Sequence, residues 1–272
     1  MTAMVADARR YLRFTLAYAG IALRDLLAYR VDLFVKLAGY PARLIMAYFL
    51  WRVLLQAQMV QGYGFRDLLT YYVLTYFATQ MYPFVRMARE VRNEIYSGDI
   101  TVFLARGVPH SAVWIGRFAA AALAYAVLVA PLVAALVLLL GRVTLTVQSI
   151  MSFLGLFCIG VILKGQFWYL VGISSYFTEE NLGTIRFYDL IERLLSGAVL
   201  PIFLFPDWAR RLCACLPFQY TLYAPVQALM QGSASAQYGR SFALGLLWCI
   251  ILGFAIQAVA QKGWRRFTAH GV

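Results

Sequence analysis

Six apolar stretches, each about as long as a membrane-spanning helix, constrain the fold of this chain more than any other feature. A helix that crosses a bilayer needs about 20 mostly apolar residues. Of the 272 residues, 62% are hydrophobic and only 13% are charged, so no polar segment is long enough to build a soluble domain. We therefore predict an all-α membrane protein with a single domain, residues 1–272. The predicted spans are about 34–56, 67–86, 113–140, 148–175, 184–204 and 241–261.

The positions of arginine and lysine predict the orientation in the membrane. Basic residues concentrate before the first span, between the second and third spans (86–117) and in the tail after residue 261. The alternate loops, 57–66 and 141–147, carry only Arg66 and Arg142. Because basic loops stay in the cytoplasm, both termini are predicted to be cytoplasmic. The net charge of +12 is thus assigned to topology and not to nucleic-acid binding.

Residues 8–30 have the pattern of an amphipathic helix that precedes the first span. Its leucines fall on one arc and its arginines on a neighbouring arc, which is typical of a helix lying in the membrane interface. The alternative is that this segment simply extends the first span.

A second unusual segment, residues 201–240, is too apolar for a solvated loop but is interrupted by four prolines. Interrupted apolar segments are tolerated at membrane depth only where they pack against protein. We predict a non-cytoplasmic re-entrant or interfacial hairpin over residues 205–232.

The segment between the second and third spans is polar and punctuated by glycine and proline: "EIYSGDITVFLARGVPH", Glu94 to His110. Residues 88–105 are predicted to begin as a helix that stops at Ser97-Gly98-Asp99 and to continue as a short apolar stretch. This cytoplasmic element could present a charged face to a partner, or it could be an ordinary loop with topology-determining arginines.

The surrounding sequence resembles the membrane subunits of type-2 ATP-binding-cassette (ABC) exporters, in the six-span branch that includes viologen and antibiotic efflux permeases. The resemblance rests on "LLTYYVLTYFATQMYPFVRMAREVRNEIYSGDITVFLARGVPHSAVWIGR" from Leu68, on "LAYRVDLFVKL" from Leu27 and on "LSGAVLPIFLFPDW" from Leu195. Further matches are "LPFQYTLYAPVQALMQG" from Leu216 and the basic end "KGWRRFTAHG". It covers about residues 10–270.

This resemblance implies that residues 88–105 include a coupling helix, which docks into an ATP-binding subunit beside the N-terminal helix. The implied contacts are Glu90, Glu94, Ser97, Gly98 and Asp99, supported by Arg24 and Asp25. It also implies two copies of the ABC nucleotide-binding subunit, a second permease that is identical or related, and a place in the bacterial cytoplasmic membrane.

No GxxxxGK[ST] phosphate-binding loop occurs in the sequence. ATP and Mg²⁺ are therefore expected on the partner subunit, and no cofactor is expected on this chain. The resemblance implies export of a small amphipathic or toxic compound.

Charged residues within the apolar stretches are costly and suggest either function or internal pairing. Arg43 and Lys164 lie in the middle of spans, and Asp189 has the i,i+4 spacing to Arg193 that favours a pair. Aromatic residues on the same spans could line a path for planar ligands or simply form the core. The candidate path or gating residues are Tyr72, Tyr76, Lys164, Trp168, Asp189 and Glu192.

Two other classes of function fit less well. His110 and His270 are the only histidines, and neither has a nearby serine or cysteine nucleophile, so we do not expect an enzyme. The four cysteines have no spacing typical of a metal site. A passive channel or a membrane scaffold without ATP coupling would fit the hydropathy but would leave the coupling-helix resemblance unexplained.

Overall fold

The computed structural model describes Arg24 and residues 30–56, 64–80, 84–105, 109–140, 146–178, 182–230 and 235–269, and within these ranges it contains helices and no strand. The helices are α1 Arg30–Gln56, α2 Phe65–Gln80, α3 Phe84–Ser97, α4 Ile100–Ala105, α5 His110–Leu140, α6 Val147–Ile173, α7 Leu182–Leu195, α8 Asp207–Cys215, α9 Phe218–Thr221, α10 Tyr223–Met230 and α11 Ser235–Ala269. Short 3-10 turns follow at Ser174–Tyr176 and Ile202–Leu204. The predicted all-α class is confirmed for the described residues.

Among the described residues, three helices are long and apolar enough to cross a membrane. They are His110–Val137, Val147–Tyr176 and Tyr238–Trp264. These helices coincide with the third, fourth and sixth predicted spans, which are thereby confirmed as apolar helices of membrane length.

The first, second and fifth predicted spans correspond to α1, α2 and α7, which differ from the sequence-based bounds. Within α1, the described residues include the shorter apolar helix Leu44–Gln56. Helix α2 is described as far as Gln80 and α3 from Phe84 onwards. Helix α7 ends at Leu195 and not at residue 204, because the chain turns at Gly197, whose φ of 84° favours glycine. The amphipathic helix predicted over residues 8–30 lies outside the described residues apart from Arg24 and Arg30.

Helix α6 packs against much of the rest of the molecule. It begins with a capping box, in which the Ser149 amide donates to Thr146 Oγ1 and the Thr146 amide donates to Ser149 Oγ. Small residues then let other elements come close: a Cβ on Gly160 would lie 3.0 Å from the Thr221 carbonyl oxygen, and a Cβ on Gly172 would lie 2.9 Å from Val91 Cβ. Helices α3, α5, α10 and α11 all contact α6.

Helix α3 lies against α6 through an apolar stripe. Buried residues recur every three or four positions, as expected for one face of a helix. They are Phe84, Met87, Ala88, Val91 and Ile95. The helix ends at Ser97, Gly98 follows with a φ of 80°, and α4 then begins at Ile100. The predicted stop at Ser97-Gly98-Asp99 is confirmed.

The segment after α7 is broken into a 3-10 turn and the short helices α8, α9 and α10. A hydrogen bond from the Tyr71 hydroxyl to the Gly197 carbonyl oxygen, 2.8 Å long, ties the start of this segment to α2. The exposed α8 begins with Asp207, whose carboxyl has a lowered pKa because Arg210 donates a hydrogen bond to it. The described part of the predicted segment 205–232, which runs to Met230, thus contains interrupted helices, as its prolines indicate.

Candidate functional site

A polar cavity of about 240 Å³ lies between α1, α2, α6 and α7, at the start of α3. Throughout this article the polar cavity means this space. It is lined by Met46, Tyr72, Thr75, Tyr76, Thr79, Val85, Lys164, Asp189, Glu192, Arg193, Ala198 and Val199. Polar groups gathered between apolar helices are what a membrane protein needs to host a ligand away from lipid.

A buried ion pair forms one wall of the polar cavity. Lys164 Nζ of α6 lies 3.0 Å from Glu192 Oε1 of α7, and the two side chains are only 7% and 4% exposed. Burying either charge alone would cost several kcal/mol, so each group needs the other. The pair therefore holds α6 and α7 together at the point where both line the cavity.

A second pair lies one turn away on the same face of α7. Arg193 Nε donates to Asp189 Oδ1 over 3.0 Å, with the i,i+4 spacing that the sequence predicted to favour pairing. The Arg193 side chain is 57% exposed and that of Asp189 is 26% exposed, so this pair is more accessible than the Lys164–Glu192 pair. Among the described residues that line the cavity, the two cations and two carboxylates sum to zero net charge.

The opposite wall is a row of hydroxyl-bearing residues on α2. Thr75 Oγ1 donates to the Tyr71 carbonyl oxygen over 2.9 Å, and Thr79 Oγ1 donates to the Tyr76 carbonyl oxygen over 2.7 Å. Because these protons are used within the helix, each threonine oxygen faces its surroundings as an acceptor. The residues recur at the spacing of one helix face. They are Tyr72, Thr75, Tyr76 and Thr79.

The structure brings together five of the six candidate path residues and separates the sixth. Trp168 is fully buried in the core and does not line the polar cavity. Thr75 and Thr79 line it but are absent from the sequence-based set, although their spacing from Tyr72 and Tyr76 placed them on the same face. The Arg43 side chain lies outside what the structure describes.

The tip of the cytoplasmic element consists of Ser97, Gly98 and Asp99. Ser97 Oγ donates to Asp99 Oδ2 over 2.6 Å, and Thr101 Oγ1 donates to the Gly98 carbonyl oxygen over 2.8 Å. Ser97 and Asp99 are exposed. The turn between α3 and α4 is therefore internally hydrogen-bonded and presents a carboxylate to its surroundings.

The two candidate glutamates of α3 differ in their contacts. Glu90 Oε1 accepts a hydrogen bond from Arg86 Nε over 2.6 Å on the exposed side of the helix. Glu94 makes its contacts within the chain: its Oε2 lies 2.7 Å from His110 Nε2 and accepts from Trp114 Nε1 over 2.8 Å. The Glu94 carboxylate is thus engaged inside the chain, which sequence reasoning about a docking contact did not foresee.

Two further candidates lie in or near the amphipathic segment. Arg24 is helical and exposed, whereas Asp25 lies outside the described residues. In the part of the chain that is described, no group of three or more histidine, cysteine or acidic side chains could share a metal ion.

Helices of membrane length, together with a buried ion pair beside a polar cavity, define an integral membrane protein with a polar site between its helices. The family model described as "ABC-2 family transporter protein" matches residues 42–271. The chain therefore belongs to the ABC-2 transporter family, and the resemblance seen in the sequence is confirmed. Members of this family are membrane subunits that work with an ABC ATPase and are not themselves catalytic. No curated protein and no solved structure matches the chain.

Proposed function

We propose that this chain is the permease subunit of an ATP-driven exporter that moves a small amphipathic compound out across the bacterial cytoplasmic membrane. The observation that carries the proposal is the Lys164–Glu192 pair, which places buried charge beside a cavity in a chain of the ABC-2 family. Charge inside a membrane protein is expensive, and it is commonly retained along substrate routes.

The lining of the polar cavity suggests the kind of compound. Hydroxyl groups of α2 can hydrogen-bond a polar portion, while Met46, Val85 and Val199 offer apolar contact. Among the described lining residues, Lys164 and Arg193 are balanced by the two carboxylates of α7, and such a lining favours a molecule of low net charge over a dication. This argues for a neutral or zwitterionic amphipathic substrate and against a viologen.

The size of the cavity supports a dimer of permeases. A volume of about 240 Å³ is below the roughly 300–1,000 Å³ typical of small-molecule sites. A second copy of this chain, or a related permease, would extend the cavity to a full binding site. In this arrangement α1, α2 and α7 are also spans, both termini are cytoplasmic, and residues 205–232 form the non-cytoplasmic hairpin.

ATP coupling enters at the cytoplasmic element. Two ABC ATPase subunits, which carry ATP and Mg²⁺, would dock at the tip and at the Glu90 face of α3, with Arg24 and Asp25 nearby. Closure of the ATPase pair would then move α3, which packs on α6 and reaches the polar cavity at Val85. Nucleotide binding can shift the permease from one conformation to another only if the two conformations differ in their contacts with the ATPase.

The proposal is tested by following the accessibility of the polar cavity during the ATP cycle. Thr79→Cys introduces a thiol into the cavity lining, and the matched control Thr70→Cys introduces one at a fully buried position of the same helix. The complex with its co-purified ATPase is placed in nanodiscs and treated with a membrane-impermeant maleimide, with and without ATP and vanadate. Peptide mass spectrometry measures maleimide labelling at each position separately, so the native cysteines need not be replaced.

We expect the labelling rate at position 79 to change by about tenfold on vanadate trapping, in line with typical coupling between sites. Position 70 should stay unlabelled in both states. Equal labelling of position 79 with and without nucleotide would contradict an ATP-driven cavity and favour a passive channel.

A further inference from the structure

We infer that Glu94, His110, Trp114 and Tyr169 form a junction that passes movement of the cytoplasmic helix α3 to the membrane helices α5 and α6. The inference rests on the proposed function and deepens it by naming the residues that connect the ATPase-facing element to the spans. It assigns Glu94 a positioning role inside the permease in place of a docking contact with the ATPase.

The hydrogen bonds of the junction form one continuous chain across three helices. His110 Nε2 lies 2.7 Å from Glu94 Oε2, and His110 Nδ1 lies 2.8 Å from the Tyr169 hydroxyl. A carboxylate can only accept and an indole N–H can only donate. With a neutral imidazole, one arrangement satisfies every group: Tyr169 donates to Nδ1, Nε2–H donates to Glu94, and Trp114, whose Nε1 also lies 2.9 Å from His110 Nε2, donates to the same carboxylate oxygen.

Burial makes these contacts hard to replace with water. The His110 side chain is 7% exposed and that of Glu94 is 24% exposed, while Trp114 and Tyr169 are buried. Removing the Glu94 carboxylate would take away the acceptor that His110 Nε2–H and Trp114 Nε1–H share, and in this tautomer both donors would lack an acceptor in a place where solvent reaches poorly. Buried donors without acceptors are strongly disfavoured. The junction should therefore stay closed while α3 moves, so that α5 and α6 follow.

Helix α4 also reaches the junction. The Phe103 ring packs edge-on against the His110 ring, with centroids 4.7 Å apart. His110 is the first residue of α5 and is thus contacted from α3, α4 and α6 at once. Both helices that flank the exposed tip converge on one side chain at the start of a membrane helix.

Two further contacts of α3 restrict how it can move relative to α6. The Tyr96 hydroxyl donates to the Thr178 carbonyl oxygen over 2.8 Å, beyond the end of α6. Val91 lies directly against Gly172, where no room exists for a Cβ. Helix α3 is therefore fixed to α6 along its length, and Glu94 adds the connection to α5.

The test separates docking of the ATPase from transmission through the junction. Glu94→Ala removes the acceptor, and Glu94→Gln keeps one oxygen as the conservative variant. Trp114→Phe removes one donor but keeps a ring of similar position. Its matched control is Trp51→Phe, because Trp51 is also fully buried but its Nε1 has no hydrogen-bond partner among the described residues.

Each variant is made in the Thr79→Cys permease and purified with its ATPase. Three quantities are measured: recovery of the ATPase subunit, the ATP hydrolysis rate, and the vanadate-dependent change in labelling at position 79. We expect Glu94→Ala to keep ATPase recovery and hydrolysis but to reduce the labelling change about tenfold. Glu94→Gln should retain part of the change, Trp114→Phe should lose part of it, and Trp51→Phe should behave as the parent.

Three outcomes would overturn the inference. A full labelling change in Glu94→Ala would mean that the junction transmits nothing, and loss of ATPase recovery in that variant would mean that Glu94 is a docking contact. An equal loss of the labelling change in Trp51→Phe and Trp114→Phe would mean that the effect does not depend on the hydrogen bond of Trp114. Absence of an ATPase from the parent complex would instead be a failure of the proposed function itself, and it is visible before any variant is made.

Discussion

Two glutamates of this permease, the buried Glu192 and the half-buried Glu94, perform different structural tasks. Glu192 forms an ion pair with Lys164 in the wall of the polar cavity, and its side chain is only 4% exposed. Glu94 accepts hydrogen bonds from an imidazole and an indole at the edge of the helical core, and its side chain is 24% exposed. The Lys164–Glu192 contact balances a buried charge beside the polar cavity. The Glu94 contacts instead connect helices that pack directly against each other.

This difference predicts which amino-acid substitutions each contact should tolerate. A buried ion pair can be exchanged for apolar residues of similar size, because the two desolvation penalties disappear together. The junction cannot be exchanged in this way, since its two donors belong to rings that are held by other contacts. Substitution of both cavity residues should therefore be able to abolish function with little loss of stability, whereas substitutions at the junction should reduce function and stability together.

The largest effect is expected from breaking the cavity pair on one side only. Lys164→Met leaves the Glu192 carboxylate buried without its lysine, which should destabilise the permease by about 3–5 kcal/mol. Lys164→Met combined with Glu192→Leu should recover most of that loss while still abolishing the response of the cavity. Thermal unfolding of the purified permease, together with its abundance in the membrane, measures both variants. If the double variant is as unstable as Lys164→Met alone, the lost stability does not come from the unpaired Glu192 charge.

A smaller effect is expected from pushing α3 away from α6. Gly172→Ala places a Cβ 2.9 Å from Val91 Cβ, and overpacking of this kind costs about 1–3 kcal/mol. The matched control is Gly183→Ala, because a Cβ at Gly183 in α7 meets nothing within 4 Å. Thermal unfolding compares the two.

A second change tells whether the contact itself causes that loss. Val91→Ala added to Gly172→Ala frees space at the clash and should restore part of the lost stability. If Gly172→Ala is as stable as Gly183→Ala, the close approach of α3 to α6 is not a structural requirement.

The smallest effect is expected from the exposed pair one turn before Glu94. Arg86→Ala removes an ion pair whose arginine is 77% exposed, and such pairs contribute about 0–1 kcal/mol. Glu94→Ala on the same helix should cost about 1–3 kcal/mol, because it leaves buried donors unsatisfied. Unfolding curves for the two variants in one detergent measure the contrast, and equal losses would remove the distinction between the junction and the exposed face.

The sequence predicted those features that depend on local pattern. Apolar length identified α5, α6 and the core of α11, and the Ser97-Gly98-Asp99 turn residues located the end of α3. The i,i+4 spacing identified the Asp189–Arg193 pair. In each case the property is set by neighbours within one helix.

Contacts between distant residues could not be read in the same way. Lys164 and Glu192 were both recognised as unusual charges, but nothing in their spacing indicated that they face each other. His110 was considered only as a possible catalytic residue, and its place between Glu94 and Tyr169 depends on how three helices pack. Aromatic residues such as Trp168 suit both a ligand site and a core, and only their position relative to the cavity, which depends on how the helices pack, distinguishes the two.

The measurement that tests the central claim most directly is purification of the tagged chain from its own membrane in mild detergent, followed by mass spectrometry and an ATPase assay. The account predicts recovery of a subunit with a Walker nucleotide-binding motif, in equal copy number with the permeases, and vanadate-sensitive ATP hydrolysis. Recovery of the chain without an ATPase in several mild detergents would contradict an ATP-driven exporter, and the cavity would then have to be explained as part of a passive pathway.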